Sequence, residues 1–499
     1  MISRSLMFFG AAAVAFAALP AQAAVNISDA RTQHVLCAAG TCTPTAKRAN
    51  LNVADLQNLL ATSDVTVDTG AGAVTIEVAS PLFWTSTHRL TLNADYNVSI
   101  KASVSVQGTA GLTVNYDNGG TGGELQFFPN GWIAFQDTSS SLIVNGNSYV
   151  LAKDLATLAG AVASNPGGRF ALVSDYDASA DGTYEGGIVA SLQGTFEGLG
   201  HTVFNLSIHG SNVTAVGMFQ QVGGAGGAAV LRDLNIDGIQ ISATGGGGVG
   251  ALVGAGTAAM FGIFAYGTID GGPSSDAGGL IGIAADGSNV MHAASYVLVT
   301  AGEGSLAGGL VGRADGPIVD CYAGGSVTAN RKSSIGGLAG LAQSQIIQSF
   351  AIGQVQSSDA VNVGGLVGEI TQTAQITDSY ATGVAQGGYG SRFGGFVGLD
   401  SGGVITASYS LGSINFGAPD KDRVGGFIGK PVGTTNANDY WDVDTSGQSE
   451  PCGRNCSGIT GLSDAELKSQ LPSGFDPSVW AQSASVNKGY PYLIANPPQ

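Results

Sequence analysis

Between residues 65 and 144 the chain alternates apolar and polar positions in short runs, among them Val65-Thr66-Val67-Asp68, Val74-Thr75-Ile76-Glu77-Val78, Leu90-Thr91-Leu92-Asn93 and Leu112-Thr113-Val114-Asn115. Alternation with period two, closed each time by turn-forming residues, predicts half-buried strands. Two stretches shift toward helix: residues 53–60, with Asn52 as N-cap, and residues 153–163. Near the C-terminus, Ser463-Asp464-Ala465-Glu466 has the form of a capping box and predicts a short helix to Leu471. The first helix is expected to cover an open sheet end, where unpaired edge groups would otherwise be exposed. The tail through Trp480 to Tyr490-Pro491-Tyr492-Leu493 is expected to close the last coil.

Farther along, the pattern becomes periodic on a larger scale. Variants of Gly-Gly-Leu-Val-Gly recur at Gly250, Gly278, Gly308, Gly336, Gly364, Gly394 and Gly425, with a degenerate first copy at Val216-Gly217-Met218-Phe219, and the spacing is 28 to 33 residues. A second column moves in step with the first. Phe264, Tyr322, Phe350, Tyr380 and Tyr409 are each followed three positions later by glycine, and Tyr296 and Tyr440 continue the aromatic column. A period of this length in glycine-rich, strand-forming sequence predicts one supersecondary unit per repeat, stacked because no unit buries its apolar face alone.

The turn from Val363 to Phe393 reads as three strands, at residues 365–367, 375–380 and 383–385, with Gly, Ser and Thr at the corners. Three strands and three corners per repeat describe one coil of a parallel β-helix, with like residues stacked ~4.8 Å apart. The column Leu280, Leu310, Leu338, Leu366, Phe396 and Phe427 is the expected core ladder. Its neighbour column (Ile281, Val311, Ala339, Val367, Val397, Ile428) is apolar too, so it either sits at a corner or is covered. The aromatic column is expected to fill the core rather than bind sugar.

Charge narrows the partners. With 36 acidic and 19 basic residues the net charge is −17, which disfavours nucleic acid and anionic lipid. Residues 1–23 hold Arg4, an apolar run too short to span a bilayer, and Ala21-Gln22-Ala23, the form of a secretory signal with the mature chain starting at Ala24. No later stretch has spanning length. In an oxidising compartment Cys37 with Cys42 and Cys452 with Cys456 are expected to close two local disulfides in preference to one zinc site, and Cys321 to be a buried free thiol.

Candidate chemistry is sparse. His34, His88, His201, His209 and His292 include no His-Glu-x-x-His pair, which excludes a zinc peptidase of that type. A polysaccharide lyase or hydrolase needs carboxylates converging on one face of adjacent coils. In the repeats Asp320 and Asp378 share a column with Gln348 and Ala407, so no such ladder forms and no catalytic residue is assigned. Asp175, Asp177 and Asp181 begin like a calcium loop, but Ile188 stands where the bidentate Glu belongs; Asp442-x-Asp444-x-Ser446-Gly447 fails similarly. Aspartate-rich turns account for both more simply; no cofactor is expected, with calcium at Asp175, Asp177 and Asp181 the alternative.

The glycine repeat with its Ser-Tyr-Ala-x-Gly partner resembles the GLUG motif, and Tyr440-Trp441-Asp442-Val443-Asp444 looks like the segment that ends such arrays. Residues 84–94, 141–149 and 196–208 are similar to passages of filamentous-haemagglutinin-like surface proteins of Gram-negative bacteria. The resemblance implies an all-β, right-handed parallel β-helix with short capping helices near its ends, adhesin-like at the cell surface. The Asn-Pro-Asn-Leu signature of two-partner secretion is absent, so another export route or a periplasmic location stays open. The expected organisation is a signal peptide (1–23), an N-terminal cap with Cys37 and Cys42 (24–64), irregular coils (65–215), GLUG coils (216–450) and a C-terminal cap (451–499). Expected partners are a host or neighbouring-cell surface, a glycan or a matrix protein.

Overall fold

The computed structural model describes residues 23–211, 214–224, 226–359, 361–416, 423–454 and 456–498; the signal-like segment lies outside them except for Ala23. The alternating runs form an N-terminal solenoid of three parallel sheets. One stacks Val65–Asp68, Arg89–Asn93, Gly111–Asn115 and Ser141–Val144 in register. Val65, Leu90, Leu112 and Leu142 make one inner ladder, all at most 1% exposed. Helix Val53–Leu60, capped by Asn52, buries Val53, Leu56 and Leu60 and packs against Leu82–Trp84, the terminal strand of another sheet.

The chain then reverses. Asn145 (φ 45°) and Gly146 (φ 74°) form a two-residue hairpin turn, and Asn147–Ala152 runs antiparallel to Ser141–Val144. Both central residues have the positive φ of a type I′ connection. The next strand, Arg169–Leu172, pairs parallel with Asn147–Ala152. In this pair of strands Leu151 and Ala171 face the N-terminal core, whereas Ala152, Phe170 and Leu172 face a second core. Neighbours in a strand point to opposite sides, so this seam is one sheet with a solenoid core on each face. Helix Leu155–Ser164, capped by Asp154, inserts between the two strands and buries Leu155, Leu158 and Val162 in the second core.

Beyond the seam the repeats stack as one parallel solenoid. The turn expected to hold three strands holds five short ones: Asn362–Gly364, Val367–Ile370, Gln375–Thr377, Tyr380–Ala381 and Ala385–Gly387. The run at 365–367 straddles a corner instead of forming a strand, because the chain bends at Gly365-Leu366. This bend explains the doubled apolar columns: Leu366 and Val367 lie on its two sides, and both are fully buried. The run at 375–380 breaks at Asp378, which is left-handed (φ 50°).

The motif glycines serve close approach, not positive φ. A Cβ on Gly309 would lie 2.2 Å from the Gly337 carbonyl of the next coil, and one on Gly308 would lie 2.1 Å from the Val311 carbonyl across the bend. The left-handed corners fall on other residues, at His292, Asp320, Gln348, Asp378, Ala407 and Asn438, with φ between 47° and 57°. Asn and Asp tolerate this region better than most residues, which gives Asp320 and Asp378 a structural role.

The aromatic column departs from expectation. It is buried, but outside the coil: Ala323, Ala351 and Ala381 point into the solenoid core, while the preceding Tyr322, Phe350 and Tyr380 belong to a separate apolar cluster. Tyr322, Phe350, Tyr380 and Tyr409 stack at 4.6 to 5.1 Å with planes within 5°. The C-terminal segment seals this row laterally with Leu467, Phe475, Trp480, Tyr490 and Leu493. Its helix, Asp464–Leu467, carries the Ser463/Glu466 capping box but ends before Leu471. Among the described residues no helix is long and apolar enough to cross a membrane.

Candidate functional site

One regular surface is the outward face of the sheet holding Asn235–Ala243, Phe264–Gly271, Ala294–Ala301 and their successors. Inner Ile241, Ile269, Val299, Val327, Val355 and Ala385 are at most 3% exposed. The next residue in each strand points out. Ser242, Asp270, Thr300, Thr328, Gln356, Gln386 and Asn415 therefore form an exposed row in strict parallel register. Hydroxyl and amide groups, with one carboxylate at Asp270, follow one another at the coil rise of ~4.8 Å. Beside the start of the row stand Tyr266 and Leu298, 46% and 51% exposed.

The aspartates of the calcium-like loop do not converge on a shared point. Asp175 accepts from the backbone N–H of Thr202 at 3.0 Å and lies 3.3 Å from His201 Nδ1. Asp177 accepts from Ser179 N–H and Asn205 Nδ2, and Asp181 accepts from the Tyr176 and Tyr184 hydroxyls. Asp442 caps the short helix Val443–Ser446 through the N–H groups of Asp444 and Thr445. Among the described residues no three His, Cys, Asp or Glu side chains are grouped to hold a metal ion. Disulfides join Cys37 to Cys42 and Cys452 to Cys456, and Cys321 is a buried free thiol.

One charged constellation has no warning in the repeat pattern. Glu197 and Arg232 are register partners in adjacent coils, and Asp233 follows Arg232. Glu197 is 2% exposed and Asp233 6%. Burial raises the pKa of both carboxyls, Asp233 well above the usual range, with repulsion from Glu197 adding to it. Burial opposes the charge on Arg232, but Asp233 and Glu197 outweigh that and strengthen its hold on the proton. The guanidinium donates to Tyr116 OH at 3.1 Å and to the Leu125 carbonyl at 3.4 Å, both in the N-terminal solenoid. His201 Nε2 lies 2.7 Å from the Ile133 carbonyl of the same solenoid. The cluster thus bolts the two solenoids together, and its carboxyls are closed to a substrate. The signal was available only as a register: Phe196-Glu197 and Leu231-Arg232 fall on successive rungs.

These features define a parallel β-solenoid carrying the GLUG motif, whose family model matches residues 359–385. The chain is 28% identical to halomucin of Haloquadratum walsbyi over 264 residues, covering 50% of this chain and spanning 3% of halomucin's length. Among solved structures it is similar to a Bacteroides ovatus chain described as a candidate immunoglobulin A1 protease, at 17% identity and TM-score 0.39, covering 70% of this chain and 93% of that one. An IgA1 protease structure matches at 18% identity and TM-score 0.37, covering 57% of this chain and 20% of that one.

Proposed function

We propose that this is an exported, non-enzymatic solenoid that acts outside the cytoplasm as an adhesin-like contact surface for glycan, matrix or neighbouring cells. The observation that carries the reading is the in-register exposed row from Ser242 to Asn415, a repetitive display of hydrogen-bonding side chains on a rigid sheet. From Ser242 to Asn415 its rungs contain one charge, at Asp270, while the register continues through His209 to Glu185. Neutral hydroxyl and amide side chains make up most of the row, so hydroxyl-rich partners are favoured over strongly ionic ones. The signal-like residues 1–23 support export to the surface or periplasm. Against catalysis stand the closure of Glu197 and Asp233, a carboxyl pair with raised pKa, and the engagement of a second pair, Asp276 and Asp315, by Arg313 at 3.8 and 3.0 Å, although burial pushes Asp276 up to about 6.

The test is to incubate the mature chain, from Ala24, on a glycan array with and without calcium and to assay the same panel for released sugar. Saturable binding without turnover is expected, independent of calcium. Released sugar would overturn the non-enzymatic reading in favour of a carbohydrate-active enzyme, and absence of binding to every glycan would point to a passive scaffold or a protein partner.

A further inference from the structure

The aromatic row changes character along its length. From Tyr322 to Tyr409 the rings stack face to face, so their faces are consumed by one another and the C-terminal segment lies over their edges. At the other end the stack comes apart. Tyr296 meets Tyr322 edge-on at 79° and Phe264 at 45°. The cause lies one coil farther on, at Gly324: a Cβ there would fall 2.3 Å from Tyr296 Cε1, so the tyrosine ring lies down over bare backbone. Tyr266 is the register partner of Tyr296, and Leu298 stands two residues beyond on the same face. Phe264, Tyr266, Tyr296 and Leu298 therefore form an apolar platform across two adjacent strands, with Tyr266 the most open of the three rings.

The rim of this platform is polar, and among the described residues that form it none is a lysine or arginine. Exposed Asp237 and Gln240 lie on the preceding coil, Gln240 in register with Thr268, and Thr268 and Asp270 continue the strand that carries Tyr266. A ligand suited to this surface has one flat apolar face and an edge of hydroxyls, which is the shape of a hexopyranose. Aromatic faces offer large rigid contact area at low entropic cost, and the aspartate and amide rim offers acceptors and donors to ring hydroxyls. The two carboxylates and the net charge of −17 turn away polyanionic chains.

We propose that Tyr266, Tyr296 and Leu298, rimmed by Asp237, Gln240, Thr268 and Asp270, form a binding site for uncharged hexose polymers. The site rests on the reading of this sheet as a glycan-contact face and names where contact is made.

The experiment uses the full mature chain and immobilised neutral glucan, mannan and galactan beside uronate-containing and sulfated polymers, with affinities from a concentration series. Tyr266→Ala is expected to lower affinity for a neutral polymer about tenfold or more, Tyr266→Phe to keep most of it, and Tyr389→Ala, a 71% exposed tyrosine on a loop of a later coil, to change nothing. Tyr266 is 46% exposed, and thermal unfolding of each variant separates a loss of binding from a loss of fold. Wild-type binding that Tyr266→Ala leaves unchanged would overturn the site while leaving the glycan reading in place. Failure of the wild-type chain to bind any glycan would overturn both, and preference for the anionic polymers would overturn the assignment to uncharged chains.

Discussion

The indole Nε1–H of Trp480 donates to Asp378 Oδ1 at 2.8 Å, joining the C-terminal segment to a left-handed corner 102 residues earlier. The same indole packs on the Tyr380 and Tyr409 rings, and Tyr409 OH donates to the Pro491 carbonyl at 2.6 Å. The segment is therefore a strap along the side of the solenoid, not a plug at its end. Trp480→Ala is expected to weaken strap docking by about 3–5 kcal/mol, and Trp480→Phe, which keeps a ring and loses the donor, by about 1–2 kcal/mol. Limited proteolysis should then release the residues after Leu462 from the alanine variant while the coils stay protected. Equal resistance of both proteins would show that the strap is held elsewhere.

The glycine columns separate into positions that must stay bare and positions that need not. Gly309→Val places a side chain 2.2 Å from a carbonyl of the next coil, with Ala323 Cβ at 2.9 Å. Backbone has to move, and the expected cost exceeds about 3 kcal/mol. Gly160 lies in helix Leu155–Ser164 with nothing within 4 Å of its added Cβ. There Gly160→Ala is expected to stabilise by about 0.5–1 kcal/mol through helix propensity. Denaturant melts of the two variants should shift in opposite directions.

Buried serines tie successive coils together. Ser349 N–H donates to Ser379 Oγ, Ser379 N–H to Ser408 Oγ, and Ser408 N–H to Asp439 Oδ1, at 3.2, 3.2 and 3.0 Å. Burial pushes the Asp439 carboxyl up to about 8 from 3.8. Between those values the native state holds a proton that the unfolded chain has lost, so stability fully present below about pH 4 is lost as pH rises through about 8. Asp439→Asn keeps the acceptor and removes the titration. The wild-type and variant melting temperatures are expected to agree near pH 4 and to separate by several degrees above pH 8, the variant higher. A constant difference across that range would place the titration on another group.

Cysteine chemistry gives a count. Cys321 is fully buried, Ala293 N–H donates to its sulfur at 3.4 Å, and burial pushes its thiol up to about 12. The folded protein should resist alkylation. The denatured, unreduced protein should take up one equivalent, and the reduced protein five, one per cysteine in the chain. Mass spectrometry reads each number directly, and more than one equivalent before reduction would mean that a disulfide at Cys37–Cys42 or Cys452–Cys456 is open.

Much of the solenoid was legible because its signals are local. Alternation marked the strands at Val65–Asp68 and Arg89–Asn93, the N-cap at Asn52 marked its helix, and repeat spacing implied coil stacking. The corners were less legible. Gly365-Leu366-Val367 reads as one of three short strand runs in its repeat, yet contact with the Gly395 carbonyl of the next coil, 2.1 Å from an added Cβ, shows that Gly365 serves packing at a bend. Tyr380 was expected in the core because an aromatic beside buried Ala381 says nothing about which side a distant strap will occupy. The pairing of Glu197 with Arg232 and its reach to Tyr116 depend on a seam between two solenoids that no periodicity encodes.

The strap takes its bearings from the final coils, at Asp378, Tyr409 and Tyr440, and the seam takes its bearings from Tyr116, Glu197 and Arg232. The coils between meet mainly their immediate neighbours. A whole coil duplicated or lost between residues 281 and 336 would slide the two anchorages along the axis without altering what either one touches. Copy number is therefore free to drift in evolution. Each added coil would extend the outward row by one rung and lengthen the aromatic row beyond the strap, so an expanding array changes its reach and its valency while both fastenings stay the same.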